Sequence, residues 1–391
     1  MEKLHRDLLS VIKLALTGES EPIDDDIDYK QIFNISKTHQ IIPLVFDGLY
    51  KAKGNFEGFE NFRNYTFCLI RRDQNQLYYL KQIESLFNEN GIDYMLLKGS
   101  SIKKYYPASE FRLMGDIDIL IKEAQYESIK PLLVGMGLTK KVESDHELVW
   151  TSSNGLVVEL HKRLIPSYND DYYSYYLNPW EKAIYRSNHS FSMSKEDEYI
   201  YIFTHLTKHY RDGGIGLRHL IDIWYFDMKH SLLNKTYIEK ELNKLGLLEF
   251  HNNIVDTLDV WFNGKESTEL TDYITKRIID SGSFGLKEWH DIANAARATA
   301  RTDSTSSAKI KTVLSLIFLP MEEMKKKFPI LDKLPILLPV LWVIRWINAV
   351  FNKRDSIVEA TNKLNYMDDQ IVDGYNRELE KVGLKFNLKK N

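Results

Sequence analysis

The sequence predicts an α+β chain in which a small mixed β-sheet sits between N-terminal and C-terminal helical regions. Three patterns lead there: apolar residues at helical spacing through residues 1–90, short apolar runs bounded by turn residues over 91–165, and helical spacing again over 166–391. With 391 residues, 43% apolar and 12% aromatic, the chain can bury a sizeable core and divide into domains.

The opening residues, MEKLHRDLLSVIKLAL, carry charges among their apolar positions, the pattern of an amphipathic helix and not of a secretory leader. The first helical region ends in QLYYLKQIESLFNENG, where Leu77, Leu80, Ile83 and Phe87 share a face and Gly91 is placed to stop the helix. IDYMLLK is then short and apolar enough for a buried strand, and GSSIKKYY reads as a turn and short helix closed by Pro107. DIDILI is a second strand, EAQYESIKPLLVGMG a helix closed by glycines. ELVWTSS and GLVVELHKRL flank Asn154-Gly155, which suits a two-residue hairpin.

Beyond Pro166 the clearest amphipathic segments are KEDEYIYIFTHLTKHY and GLRHLIDIWYFDM. In the first, His205 and His209 stand one turn apart, a metal-ligand spacing without a third ligand, so packing or a hydrogen bond to substrate is expected. In the second, Arg218 and Asp222 suit an i, i+4 ion pair. The aromatic run YNDDYYSYYLNPW reads as a packing segment. Residues 334–351, LPILLPVLWVIRWINAVF, are apolar but broken by two prolines and Arg345, whose cost at a bilayer centre is about 3 kcal/mol; a buried helix is expected, and membrane contact is not.

A net charge of -3 offers no basic face for long duplex nucleic acid. The single cysteine, Cys68, stands among apolar neighbours and reads as a buried thiol in a reducing, cytoplasmic compartment.

The chemistry is concentrated in GDIDILI, residues 115–121. On a strand, residues two apart share a face, so Asp116 and Asp118 project together while Ile117, Ile119 and Ile121 anchor the other side. Two carboxylates about 5 Å apart repel by about 3 kcal/mol at an effective dielectric near 20. A divalent cation offsets this, and Mg²⁺ is the hard, oxygen-seeking choice. Glu159 adds a third carboxylate from a later strand, enough for two metal ions and in-line phosphoryl displacement. Phosphate would bind upstream, where Gly99 admits close approach, the N–H groups of Ser100 and Ser101 open a helix, and Lys98 and Arg112 supply positive charge. The same Asp-x-Asp spacing recurs at Asp26 and Asp28 in DDDIDY, without the glycine turn or the aliphatic strand, and reads there as a solvated helix start.

The arrangement LLKGSS, FRLMGDIDILI and VVELH resembles the DNA polymerase beta-like nucleotidyltransferase superfamily and, within it, an uncharacterised bacterial family. The likeness extends to THQIIPLVFDGLY and HLTKHYRDGGIGLRHLIDIW, and more loosely to FPILDKLPILLPVLWVIRW. It implies a nucleotidyltransferase core over 91–165, with Gly99 and Ser100 or Ser101 at the triphosphate. Asp116 and Asp118 would hold two Mg²⁺ ions, and Glu159 would hold the catalytic ion or assist deprotonation. The implied reaction moves a nucleoside monophosphate, with AMP expected, from an NTP to an acceptor hydroxyl on a small molecule, peptide or protein. The alternative is a catalytically silent nucleotide-sensing or partner-binding module on the same fold.

Overall fold

The structure, a computed structural model, describes residues 1–20, 22–283, 285–300, 314, 317–352 and 368–385. It divides into two compact units, one of residues 1–210 with 214–284, the other of residues 211–213 with 285–391.

The first unit opens with four helices, α1 (Lys3–Thr17), α2 (Tyr29–Thr38), α3 (Ile42–Lys53) and α4 (Phe59–Glu89). Asp28 caps α2, its carboxylate accepting the Gln31 N–H at 2.9 Å, so the DDDIDY copy does serve as a helix start. Gly48 lets α3 cross α1 closely; a Cβ there would lie 2.1 Å from the Val11 carbonyl oxygen. Along α4 the buried positions Thr66, Asp73 and Leu80 recur every seven residues. Cys68 lies off that stripe and is exposed, as is its neighbour Phe67 at 60%, which corrects the expectation of a buried thiol: apolar sequence neighbours do not by themselves put a position on the buried stripe of a helix.

The sheet has seven strands in the order β3-β4-β5-β2-β1-β7-β6. They are β1 (Tyr94–Leu96), β2 (Ile117–Ile121), β3 (Thr139–Glu143), β4 (Glu147–Thr151), β5 (Val157–His161), β6 (Ile184–Ser187) and β7 (Ser190–Ser192). Between β1 and β2 lies the one-turn helix α5 (Lys98–Ile102), and after β2 comes α6 (Tyr126–Gly135). Ile117, Ile119 and Ile121 of β2 join Val158 and Leu160 of β5, Leu80, Ile83 and Phe87 of α4, and Ile129 and Leu133 of α6 in one core. This burial fixes which face Asp118 occupies, since a one-residue slip would put aspartate into that core.

β4 and β5 pair antiparallel, but five residues join them, 152–156. The Ser152 N–H donates to the Leu156 carbonyl and the Leu156 N–H to the Ser152 hydroxyl, each at 3.1 Å, which closes the connection beyond Thr151 and Val157 and replaces the expected two-residue turn. The sheet is also wider than the sequence suggests. β3 is exposed throughout and mostly polar, so its strand state comes from pairing with β4.

Five further helices complete the first unit: α7 (Lys195–Arg211), α8 (Leu217–Lys229), α9 (Lys235–Lys244), α10 (Leu248–Phe262) and α11 (Glu269–Ser281). His39 ties three helix ends together, accepting the Leu217 N–H at 3.1 Å and donating from Nε2 to the Ile279 carbonyl at 3.0 Å. The aromatic segment before α7 packs as expected: Tyr172 and Tyr176 are buried, and Tyr176 shares a 2.8 Å hydrogen bond with Thr204 of α7.

The second unit contains helices Lys287–Ala300, Met321–Lys327, Leu338–Asn352 and Asp369–Lys381. Met324, Leu331 and Leu341 form a small core under Trp342. The expected buried helix over 334–351 is corrected here, because Ile336 is 83% and Val340 55% exposed, and Val343, Ile344 and Ile347 also face outward. Only one stripe of that helix has core to cover. No helix among the described residues is long and apolar enough to cross a membrane.

Candidate active site

β2 and β5 run parallel with Asp118 directly opposite Glu159, so two carboxylates from separate strands arrive on one face of the sheet. Asp116 stands just before β2, where α4 holds the chain. Gln76 donates to the carbonyls of Met114 and Gly115 at 3.3 and 3.4 Å, and Arg72 to that of Gly115 at 3.3 Å. The three acids foreseen from the sequence therefore converge.

Their ionisation records that crowding. Burial, then the charge of Asp118, pushes Asp116 up to about 6. Burial, then the charges of Asp116 and Asp118, pushes Glu159 up to about 8. Burial opposes the charge on Asp118 as well, but Lys98 and His161 outweigh it and hold that carboxyl well below the usual range. Lys98 Nζ donates to Asp118 Oδ1 at 2.6 Å and His161 Nε2 to the same oxygen at 2.7 Å; neither uses Oδ2. Burial and the nearby Lys98 charge lower His161 to about 4, so it is a neutral imidazole donating one N–H.

Lys98 comes two residues after the end of β1 and takes a positive φ of 47°, a backbone state uncommon for a side-chain-bearing residue. That bend turns its ammonium onto Asp118. Gly99 comes next, and a Cβ there would press on Met114 and Arg112, 3.0 Å from Met114 Cγ. In α5 the first intrahelical bond runs from the Ser101 N–H to the Leu97 carbonyl. Of the two serines, Ser100 therefore has the amide that precedes helical pairing. The Ser101 hydroxyl is bound to Glu198 of α7, whereas the Ser100 hydroxyl accepts the Asp118 N–H at 3.1 Å.

Arg112 is placed differently from the free positive charge expected of it. It is buried, and its Nε meets both oxygens of Asp222 at 2.7 and 2.9 Å, with Tyr106 donating to the same carboxylate at 2.8 Å. This replaces the expected pair of Arg218 with Asp222: Arg218 reaches Gln40 at 2.9 Å instead. Proximity along a helix was outbid by a fully desolvated partner from the loop before β2. Sequence reasoning also missed His161 as a partner of Asp118, although its position two residues after Glu159 on a strand was the available signal. His205 and His209 meet edge to face with ring centroids 4.4 Å apart, and His219 of α8 lies 6.1 Å from the former.

The donor set suits a divalent cation. Asp118 and Glu159 bring carboxylate oxygens within 4.8 Å of each other beside His161, whose Nε2 is taken up as a donor to Asp118, and the raised values of Asp116 and Glu159 are the strain a cation relieves. Such acids on a mixed sheet beside a glycine-serine turn fit the nucleotidyltransferase class that the sequence match below supports. The chain matches the family model described as "uncharacterised nucleotidyltransferase" over residues 25–263, more than half its length, and it belongs to that family. Among solved structures, the antibiotic-resistance factor ANT(2'')-Ia in solution is similar at 12% identity and a TM-score of 0.34, over 46% of this chain and 98% of that one. No curated protein matches the sequence.

Proposed function

We propose that the chain is a metal-dependent nucleotidyltransferase that moves a nucleoside monophosphate, AMP first among them, from an NTP to an acceptor hydroxyl. The acceptor oxygen bonds to the α-phosphorus, the bond from that phosphorus to the α,β-bridging oxygen breaks, and pyrophosphate leaves with the electron pair. The observation that carries this reading is the direct opposition of Asp118 and Glu159, with Asp116 beside them and the Gly99–Ser100 turn adjoining.

Asp116, Asp118 and Glu159 would hold two Mg²⁺ ions, which supply charge neutralisation on the phosphates and acidify the acceptor hydroxyl. Asp118 Oδ2, unused by Lys98 and His161, is the oxygen for that purpose. Lys98 is the counter-ion of Asp118 in the protein alone and would turn to the phosphates when substrate arrives. The backbone at Gly99 and Ser100 would receive the phosphate oxygens. Glu159 would hold the catalytic ion or assist deprotonation of the acceptor hydroxyl. Arg112 acts at one remove, by fixing the loop that delivers Asp116.

The test incubates the protein with Mg²⁺ and NTPs labelled at the α-phosphate, against hydroxyl-bearing small molecules, peptides and proteins. Labelled product and pyrophosphate are expected from the natural chain, with a loss of at least about a hundredfold in Asp116→Ala and Asp118→Ala. Nucleotide binding with no pyrophosphate release under any acceptor would select the silent-module reading instead.

A further inference from the structure

On the far side of His161 from Asp118 lies a second group of potential ligands, His146, Glu147 and His161, whose ligand atoms all lie within 4.8 Å of one another. Glu147 and His161 are paired across β4 and β5, and His146 immediately precedes Glu147. His146 Nδ1 is 3.1 Å from Glu147 Oε2, and His161 Nδ1 is 3.9 Å from that same oxygen. Ligands about 2.1 Å from a tetrahedral ion stand about 3.4 Å apart, so these separations bracket the required value.

The hydrogen bonding is incomplete in a way that identifies the ligand. His161 is 1% exposed, and because Nε2 lies on Asp118, Nδ1 is the ring nitrogen turned to the other side. That nitrogen has no hydrogen-bond partner among the described residues, nor does Nε2 of His146. A buried lone pair facing a carboxylate oxygen at 3.9 Å is too far for a hydrogen bond and electrostatically unfavourable. A proton on Nδ1 would still have no acceptor in range, whereas a cation between the two groups satisfies both. An imidazole that binds metal through one nitrogen and donates from the other to a carboxylate is a recurrent arrangement of metal sites, and here the carboxylate is Asp118.

We propose that His146, Glu147 and His161 Nδ1 form a binding site for a first-row transition cation of the Zn²⁺ type, separate from the acid cluster. Two imidazoles and one carboxylate suit Zn²⁺ and Co²⁺ far better than Mg²⁺. Loading would lock the His161 tautomer and so fix the donor that orients Asp118.

The experiment titrates the full-length, chelator-stripped protein with Zn²⁺ alone by calorimetry, and with Co²⁺ while recording visible d–d absorption. One equivalent with a tetrahedral cobalt spectrum is expected, weakened at least tenfold in His146→Ala and in Glu147→Gln and retained in Glu159→Gln. His146→Cys should restore cobalt binding with a thiolate charge-transfer band, which a merely structural histidine would not give. Far-UV circular dichroism confirms that each variant is folded; should His146→Ala fail this check, Glu147→Gln and His146→Cys carry the test. Binding unaffected by His146→Ala and Glu147→Gln, binding abolished by Glu159→Gln, or no binding at all would overturn the assignment. None of these readouts depends on nucleotide transfer.

Discussion

Removing the Asp222 carboxylate tests whether the loop before β2 is held by the desolvated cluster that surrounds it. Asp222 is 3% exposed and Arg112 5%, and the carboxylate accepts two bonds from Arg112 and one from Tyr106. Asp222→Ala leaves a guanidinium buried without its counter-charge, which costs about 3–5 kcal/mol. The stranded Tyr106 hydroxyl adds about 1–3 kcal/mol. The loss is therefore about 4–8 kcal/mol, a large share of the 5–15 kcal/mol that holds a typical folded chain together. Urea unfolding followed by tryptophan fluorescence measures it, with Trp224 on the same helix as a reporter. Because most of the penalty is the unmatched charge and not a lost attraction, Arg112→Met combined with Asp222→Leu should recover most of the stability. A single-variant loss below about 2 kcal/mol, or a double variant no better than Asp222→Ala, would refute the reasoning.

Three further outcomes are expected. Gly48→Ala places a methyl 2.1 Å from the Val11 carbonyl oxygen, so the α1–α3 contact must open at a cost of about 3 kcal/mol, visible as a lowered melting temperature; an unchanged value would mean the helices slide freely. His39 is lowered to about 4 by burial, so the unfolded chain takes up a proton first as pH falls. Its contribution, about 3 kcal/mol, is fully present above 6.5 and is lost between 6.5 and 4; His39→Gln should flatten the stability profile in that window. Lys98→Gly and Lys98→Ala both delete the ammonium, but only glycine relieves the positive φ, so the glycine variant should be the more stable by about 1 kcal/mol in urea denaturation.

Much of the first unit was legible because periodicity is a local signal. The isoleucines of β2 and the heptad-spaced face at the end of α4 announce both strand and helix, and the alternation of Asp with Ile announces which way the acids point. Glu159 was legible for the same reason. What stayed hidden were choices between partners. Nothing in GLRHLIDIW says that Asp222 will prefer Arg112 to Arg218, since that depends on which guanidinium loses its water. Likewise β3 carries no strand pattern of its own, and the exposure of Cys68 follows from helix phase, which a stretch of apolar neighbours conceals. The segment 334–351 misled because hydropathy counts residues and not the area available to cover them.

The crowding of two donors on one oxygen of Asp118 has a thermodynamic corollary. On the proposed metal-dependent reading, a first divalent ion at Asp118 would meet an ammonium on a four-carbon tether already seated on the neighbouring oxygen, and a polyphosphate that drew the tether away would remove that repulsion. Whatever factor nucleotide adds to the ion's affinity, the ion must return to the nucleotide. Saturation curves for either, measured at several fixed levels of the other, should then shift in step, and the size of that shift reports how firmly the lysine is held.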